Sequence, residues 1–200
     1  VHNLTLIKTQ TLLKGRRVVV ENIVLGMGCF WGAEKRMASI AGVKKVEVGY
    51  SGGHYDHPTY EKVLAFERDI QNQRHGDNNH AEVVRVAFEP EEISVESVLK
   101  HFWVAHNPTQ GDRQGNDTGS NYRSVVFYQS KWQQSCAVKT RDLYQLALTA
   151  AGFGAITTEI VPLDGFFTAE SYHQHYLEKN PGGYCGLGGT GVSFPDLEPE

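Results

Sequence analysis

Cysteine is scarce in this chain: three residues in 200, namely Cys29, Cys136 and Cys185. An odd, widely spaced set does not build the disulfide framework on which small secreted domains rely, so cysteine chemistry here is expected to be catalytic rather than structural. Long apolar runs are lacking too, since no stretch reaches the roughly eighteen residues needed to span a bilayer. The opening residues, 1–17, mix Thr, Gln and Lys without a signal-peptide core. These absences predict a cytoplasmic protein with no membrane attachment; because the chain opens on Val1, a leader removed upstream stays open as the alternative. No Lys/Arg block stands out, and the formal charge is -4, so nucleic acid is not an expected partner. What is present, 40% hydrophobic and 21% charged residues with no repeat or linker, suits one core in one domain over 1–200.

Residues 17–25 are rich in Val, Ile and Leu and lead through glycines into helix formers at 33–38, which reads as strand, turn, helix. Val46, Val48 and Tyr50 alternate toward Ser51-Gly52-Gly53 as a second strand. Residues 81–88 alternate as a third, with Glu82, Val84, Val86 and Phe88 on one face. Ser94 is placed to cap a helix carrying Val95, Val98, Leu99, Phe102 and Ala105, and Asn107-Pro108 stops it. Residues 107–120 read as loop, 122–128 as strand and 131–151 as a helix with a stripe of Trp132, Cys136, Leu143, Leu146, Ala147 and Ala150. A strand over 157–161 and a helix over 169–179 follow. Residues 182–191 hold six glycines and little regular structure. This mixed order predicts an α+β two-layer sandwich, divided into an N-terminal extension (1–16), a core (17–181) and an irregular C-terminal segment (182–200).

Cys29 stands between glycines at the strand-to-helix turn. It is expected in the first helical turn, where unpaired N–H groups and the helix dipole favour a thiolate. Free cysteines are also common as buried packing, and position alone does not decide. Gly26-Met27-Gly28 with Gly32 does not fit the dinucleotide fingerprint, because bulky Phe30 and Trp31 occupy the place where backbone should approach phosphate. Those two aromatics would suit a methyl or thioether group, or be core packing. Glu82, opening an apolar strand face beside His80, is a candidate proton donor, since desolvation penalises its ionised form; alone it reads equally as a solvated strand-end charge. His54 with His57 and His173 with His175 lack a third ligand at metal-binding spacing, so no metal is expected.

At Gly28-Cys29-Phe30-Trp31-Gly32 the chain resembles the A-type peptide methionine sulfoxide reductases. The likeness extends through Gly49-Tyr50-Ser51-Gly52-Gly53, Pro58-Thr59-Tyr60-Glu61, His80-Ala81-Glu82-Val83, His106-Asn107-Pro108-Thr109, Gln114-Gly115-Asn116-Asp117, Tyr122-Arg123-Ser124, Tyr172-His173-Gln174 and residues 180–189. The resemblance implies a ferredoxin-like βα core with an extended C-terminal segment, acting on the S epimer of methionine sulfoxide. It implies Cys29 as nucleophile, Phe30 and Trp31 as the methyl pocket, and Glu82 as the acid, with Tyr60 and Tyr122 as hydrogen-bond donors. Asp117 would arrange the pocket and Cys185 would resolve the oxidised Cys29. Thioredoxin is the implied reductant, with no metal or organic cofactor, and the protein is expected to act as a monomer.

The chain also departs from that pattern. A polar stretch over 67–79 exceeds the usual connection, and Asn78-Asn79 replaces the Thr-Gly that commonly precedes His-Ala-Glu. Ser193 and Phe194 stand where many relatives have a further cysteine, which puts a third-cysteine relay in doubt. Cys136, on its helical stripe, reads as core. Two rivals remain, a cysteine peroxidase and a peptide-binding module using the aromatic pair. A peroxidase would show no sulfoxide selectivity, and a binding module would leave sulfoxide unchanged.

Overall fold

The computed structural model describes residues 9–13, 16–74 and 78–195. In chain order the elements are β1 (Thr9–Leu13), β2 (Arg16–Met27), α1 (Phe30–Ala38), β3 (Val43–Ser51), α2 (Tyr60–Gln71), β4 (Ala81–Phe88) and α3 (Val95–Ala105). A short β5 (Arg113–Gln114) and β6 (Asp117–Thr118) precede a 3-10 helix over Ser120–Tyr122, then come β7 (Ser124–Tyr128), α4 (Lys131–Ala150), β8 (Glu159–Pro162), β9 (Phe167–Thr168) and α5 (Tyr176–Lys179). One mixed sheet runs β8-β7-β2-β4-β3-β9, with β1 pairing β2. Only β7 and β8 are parallel; the remaining pairs are antiparallel.

That order follows from two helical crossovers. The chain leaves β2, passes through α1 and returns as β3, with β4 filling the gap; it then leaves β4, passes through α3 and returns as β7, with β2 between. The end of β2, the end of β3, the start of β4 and the start of β7 therefore lie along one edge, where Tyr50 pairs with Glu82 and Met27 with Ser124. Alternation sorts the side chains: Ile23, Leu25, Val84, Val86 and Val126 join α1, α3 and α4 in the main core. Val24, Val83, Val125 and Phe127 form a smaller cluster on the other face. Thr59, Ser94 and Ser130 cap α2, α3 and α4 by accepting the N–H three residues on, at 3.3, 3.1 and 3.1 Å, each contributing about 1 kcal/mol.

Several expectations change. Residues 9–13, expected to be an extension, form a strand on β2. The polar stretch from 67 onward begins as helix, because α2 continues to Gln71. Tyr122, read as opening a strand, ends the 3-10 helix, and β7 starts at Ser124. The stripe proposed for α4 is rotated: Trp132 is 63% and Leu146 69% exposed, Ala150 is exposed, and the buried face is Gln133, Cys136, Ala137, Thr140, Tyr144 and Leu148. Polar residues face inward there because each finds a partner. The Gln133 amide donates to Asn22 O at 2.9 Å, and the Thr140 hydroxyl accepts from Trp103 Nε1 at 2.9 Å while donating to Cys136 O at 2.7 Å. The strand expected over 157–161 is Glu159–Pro162. The helix expected over 169–179 is confined to Tyr176–Lys179. Upstream, the Gln174 side chain imitates a strand, accepting from Val48 N at 3.1 Å and donating to Val48 O at 2.9 Å, and His175 turns left-handed with φ 55°.

Candidate active site

Cys29 lies on the sheet edge where the strand ends converge. Gly28 turns the chain with φ +97°, a value that side chains rarely adopt, and Cys29 becomes the N-cap of α1 rather than a residue within its first turn. The sulfur is nearly out of solvent, the residue being 8% exposed. Burial first, and then the Glu82 and Asp117 carboxylates, push its thiol up to about 12. The N–H groups of Trp31 and Gly32 pull the other way, as a helix start should, but neither closes a capping hydrogen bond to the sulfur. This runs against the expected helix-stabilised thiolate: desolvation outweighs the dipole and holds the thiol above its ordinary value.

Glu82 sits beside it through the backbone, its Oε2 accepting from Phe30 N at 3.1 Å. The side chain is 2% exposed, and burial pushes it up to about 8, so it carries a proton at neutral pH. This decides between the two readings of Glu82 from sequence, because a solvated strand-end charge would do neither. Tyr60 at the head of α2 and Tyr122 are half-buried, and both hydroxyls are raised by burial and then by Glu82. Such hydroxyls keep their protons and can donate. Asp117, which opens β6, is raised by burial and accepts from Tyr184 Oη at 3.2 Å. Phe30 is 1% exposed, in contact with Tyr50, while Trp31 is half-buried.

A shell of supporting residues, most of them without a role in the sequence reading, holds this arrangement. The Trp31 indole is stacked on Tyr176 at 3.8 Å between centroids, and its Nε1 donates to His173 Nδ1 at 3.0 Å. His173 thus orients the indole. Glu170 accepts from Tyr50 Oη at 2.9 Å and from Tyr60 N at 2.8 Å, tying β3 to the head of α2. Glu34 is buried and accepts from His175 N at 3.0 and 2.9 Å, which fixes the turn that presents Tyr176. Only the pattern Tyr172-His173-Gln174 hinted at this support; Glu170 and Glu34 carried no signal.

Cys185 arrives from the C-terminal segment. A methyl group on Gly32 would stand 3.0 Å from its Sγ and 2.8 Å from Leu187 Cδ1, so the bare glycine lets the segment close on the first turn of α1. Leu187 is buried in the core, its carbonyl accepting from Arg36 Nη2 at 2.9 Å. Both cysteines are free thiols, Cys29 buried and Cys185 exposed. The Cys29 thiol, a protonated carboxyl and two neutral phenols are close enough to act on one another electrostatically, and a second thiol closes on the first turn of α1, a set that suits two-electron reduction of a soft atom bearing a polar oxygen. Cys136 stands apart, buried on α4.

Comparison with known proteins points the same way. Residues 21–190 match the family model described as peptide methionine sulfoxide reductase. The chain is 49% identical over 176 residues to peptide methionine sulfoxide reductase MsrA 1 of Synechocystis sp., covering 88% of this chain and 75% of that protein. It is 51% identical over 172 residues to the mitochondrial peptide methionine sulfoxide reductase of Bos taurus, covering 86% and 70%. Among solved structures, methionine sulfoxide reductase A of Corynebacterium diphtheriae superposes with a TM-score of 0.75 at 38% identity, over 88% of this chain and 84% of that one. With a match over residues 21–190, which hold Cys29, Tyr60, Glu82, Tyr122 and Cys185, and likeness close to half the residues, this chain belongs to the peptide methionine sulfoxide reductase family.

Proposed function

We propose that the protein reduces the S epimer of methionine sulfoxide, protein-bound or free, and so repairs oxidised proteins. The observation that carries this reading is the Phe30 N–H to Glu82 bond, which sets a protonated carboxyl against the turn holding the Cys29 thiol. In the reaction Glu82 gives its proton to the sulfoxide oxygen, assisted by hydrogen bonds from Tyr60 and Tyr122, while the Cys29 sulfur attacks the substrate sulfur. The thiol proton passes to the Glu82 carboxylate, leaving an intermediate in which the Cys29 sulfur is bonded to the hydroxyl-bearing substrate sulfur; the hydroxyl then shifts to the Cys29 sulfur as the sulfur–sulfur bond breaks and returns its electron pair to the substrate sulfur. Methionine leaves, and Cys29 is left as a sulfenic acid: the substrate sulfur has gained two electrons and Cys29 has lost two. Cys185 then attacks that sulfenic acid, forming a Cys29–Cys185 disulfide and releasing water. An external dithiol, which we take to be thioredoxin, restores both thiols by exchange.

Phe30 and Trp31 form the wall for the substrate methyl, with Asp117 shaping the far side. The fixed indole supports that role, because Trp31 is held edge-on by His173 rather than free to collapse into the core. The choice of epimer, the reductant, the absence of a metal or organic cofactor, cytoplasmic operation and action as a monomer follow the resemblance. A single domain is supported by the one sheet and its shared core. The ferredoxin-like reading of the core is supported by the order β7-β2-β4-β3 with α1 and α3 as crossovers.

The direct test is reduction of separated R and S epimers of a blocked methionine sulfoxide, driven by dithiothreitol. The expected result is methionine from the S epimer alone, and none from either epimer with Cys29→Ser. Turnover by a folded Cys29→Ser variant would overturn the reading.

A further inference from the structure

The groups assigned to the substrate oxygen come from three elements: Tyr60 opens α2, Glu82 lies at the start of β4 and Tyr122 ends the 3-10 helix. Two of them have anchors already described, Glu170 for the head of α2 and the sheet register for Glu82. The 3-10 helix is three residues long, and helices of that type are short because their geometry is poor. It follows Gly119, and the first N–H of such a turn has no partner of its own. Glu67 supplies one.

Glu67 stands seven residues after Tyr60, two turns along the same face of α2, and is 6% exposed. Both carboxylate oxygens are used. Oε1 accepts from Ser120 N at 3.0 Å, and Oε2 accepts from Ser120 Oγ at 2.6 Å and Asn79 Nδ2 at 3.3 Å. Arg123 closes the group from below, with Nη1 donating to Asn79 O at 2.9 Å and Ser120 O at 2.8 Å. The backbone packs tightly as well, since a methyl on Gly119 would stand 2.9 Å from Glu67 Cγ. A buried carboxylate satisfied mainly by one short turn is a costly device for packing alone, and that turn carries Tyr122.

We propose that Glu67 is a positioning residue for Tyr122: through Ser120 it sets where the phenol stands against the sulfoxide oxygen. Glu67 does not touch substrate, and the inference rests on the function proposed above. It also gives the polar extension of α2 beyond Phe66 a part in the chemistry, because the helix must continue past that residue to present the carboxylate.

The test is a double-mutant cycle on the full chain, read as the single-turnover rate on the S epimer of blocked methionine sulfoxide, with folding checked by near-ultraviolet circular dichroism. Glu67→Ala should lower the rate roughly tenfold or more while half-saturation moves less than about threefold, the pattern of a misplaced reacting group. In a Tyr122→Phe background the same substitution should cost less than about twofold, because the phenol it positions is gone. Glu67→Gln, whose carbonyl still accepts from Ser120 N, should recover most of the rate. An equal loss in both backgrounds, an unchanged rate in folded Glu67→Ala, or full activity in Tyr122→Phe would each overturn the proposal. Should Glu67→Ala not fold, Ser120→Ala removes only the 2.6 Å bond, and the same cycle decides. A wild type that leaves both epimers untouched would bring down the proposed function and this inference together; an active wild type, an impaired Tyr122→Phe and an unimpaired Glu67→Ala would bring down this inference alone.

Discussion

Replacing Glu82 by Gln probes burial and proton donation with one change. Burial carries the carboxyl from 4.5 up to about 8, while the Phe30 N–H opposes that rise and Asp117 adds to it. Between those values the native state holds a proton that the unfolded chain has released, so stability falls as pH climbs from 4.5 through 8. Below the window both states are protonated and nothing is lost; above it the full cost of an ionised buried carboxylate is present. At about 1.36 kcal/mol per pH unit the whole interval is worth up to about 5 kcal/mol. Gln never ionises, and its amide oxygen still accepts from Phe30 N. Urea unfolding of both proteins should therefore show the Gln variant gaining on wild type by up to about 4 kcal/mol between pH 5 and pH 9. In single turnover the variant should be slower by roughly 10²-fold and flat with pH, whereas wild type should lose its rate above pH 8 as the donor ionises. The Cys29 thiol titrates near 12, well clear of that limb. A stability difference that stays constant from pH 5 to 9 would refute the burial argument, and a wild-type rate unchanged across pH 8 would remove Glu82 as the acid.

Cys185→Ser should release one methionine per chain and then stall with thioredoxin, while wild type given substrate and no reductant should yield a Cys29–Cys185 disulfide on peptide mapping; pairing of Cys29 with Cys136 would name a different resolving thiol. Gly32→Ala puts a methyl 3.0 Å from Cys185 Sγ and 2.8 Å from Leu187 Cδ1, so quenched-flow alkylation should show disulfide formation slowed roughly tenfold with the sulfoxide step nearly unchanged, and equal slowing of both steps would refute that division. Hydrogen peroxide should oxidise Cys29 slowly at pH 7 and close to tenfold faster for each pH unit added below the thiol value, which competition kinetics can measure; a fast reaction at pH 7 would contradict the raised thiol.

The elements that could be read from sequence are those whose side chains answer to one local rule. The apolar run of β2, the alternation of β4 and the Ser94 cap of α3 each follow from burial on one face or from one orphan N–H, and all three stand where periodicity puts them. Cys29 and Glu82 stood out for the same reason, one as a cysteine at a glycine turn and the other as a carboxyl on an apolar face. What escaped depends on partners distant in the chain. Gln133 and Thr140 face the core because Asn22 and Trp103 meet them, and no helical period announces that. Gln174 acts as strand because the pairing of β3 with β9 stops at Gly49 and leaves the outer side of Val48 to a side chain, and Glu34 holds His175 across 141 residues of sequence. The thiol was misjudged by a competition of the same kind: the helix start is a local signal, whereas Glu82 and the burial that outweigh it come from β4 and the fold.

That competition gives a physical reason for the proposed site to favour sulfoxide over peroxide. Burial holds the Cys29 thiol well above its ordinary value, so little thiolate is present at pH 7, and peroxide chemistry depends on the thiolate. Peroxide presents no oxygen as strongly polarised as that of a sulfoxide to accept from Glu82, so its arrival leaves the thiol as it stands. A sulfoxide does not. In the proposed reaction its oxygen takes the proton, which makes the substrate sulfur electrophilic and turns Glu82 into the base that the thiol lacks, beside the turn joined to it through Phe30 N. The nucleophile is then generated in the same event that activates its target, and burial, which keeps the resting thiol inert, also strengthens the transfer once a basic oxygen is in place. A helix start that lowered the thiol outright would have made a faster nucleophile toward every oxidant; the buried acid beside Cys29 makes reactivity conditional on the substrate.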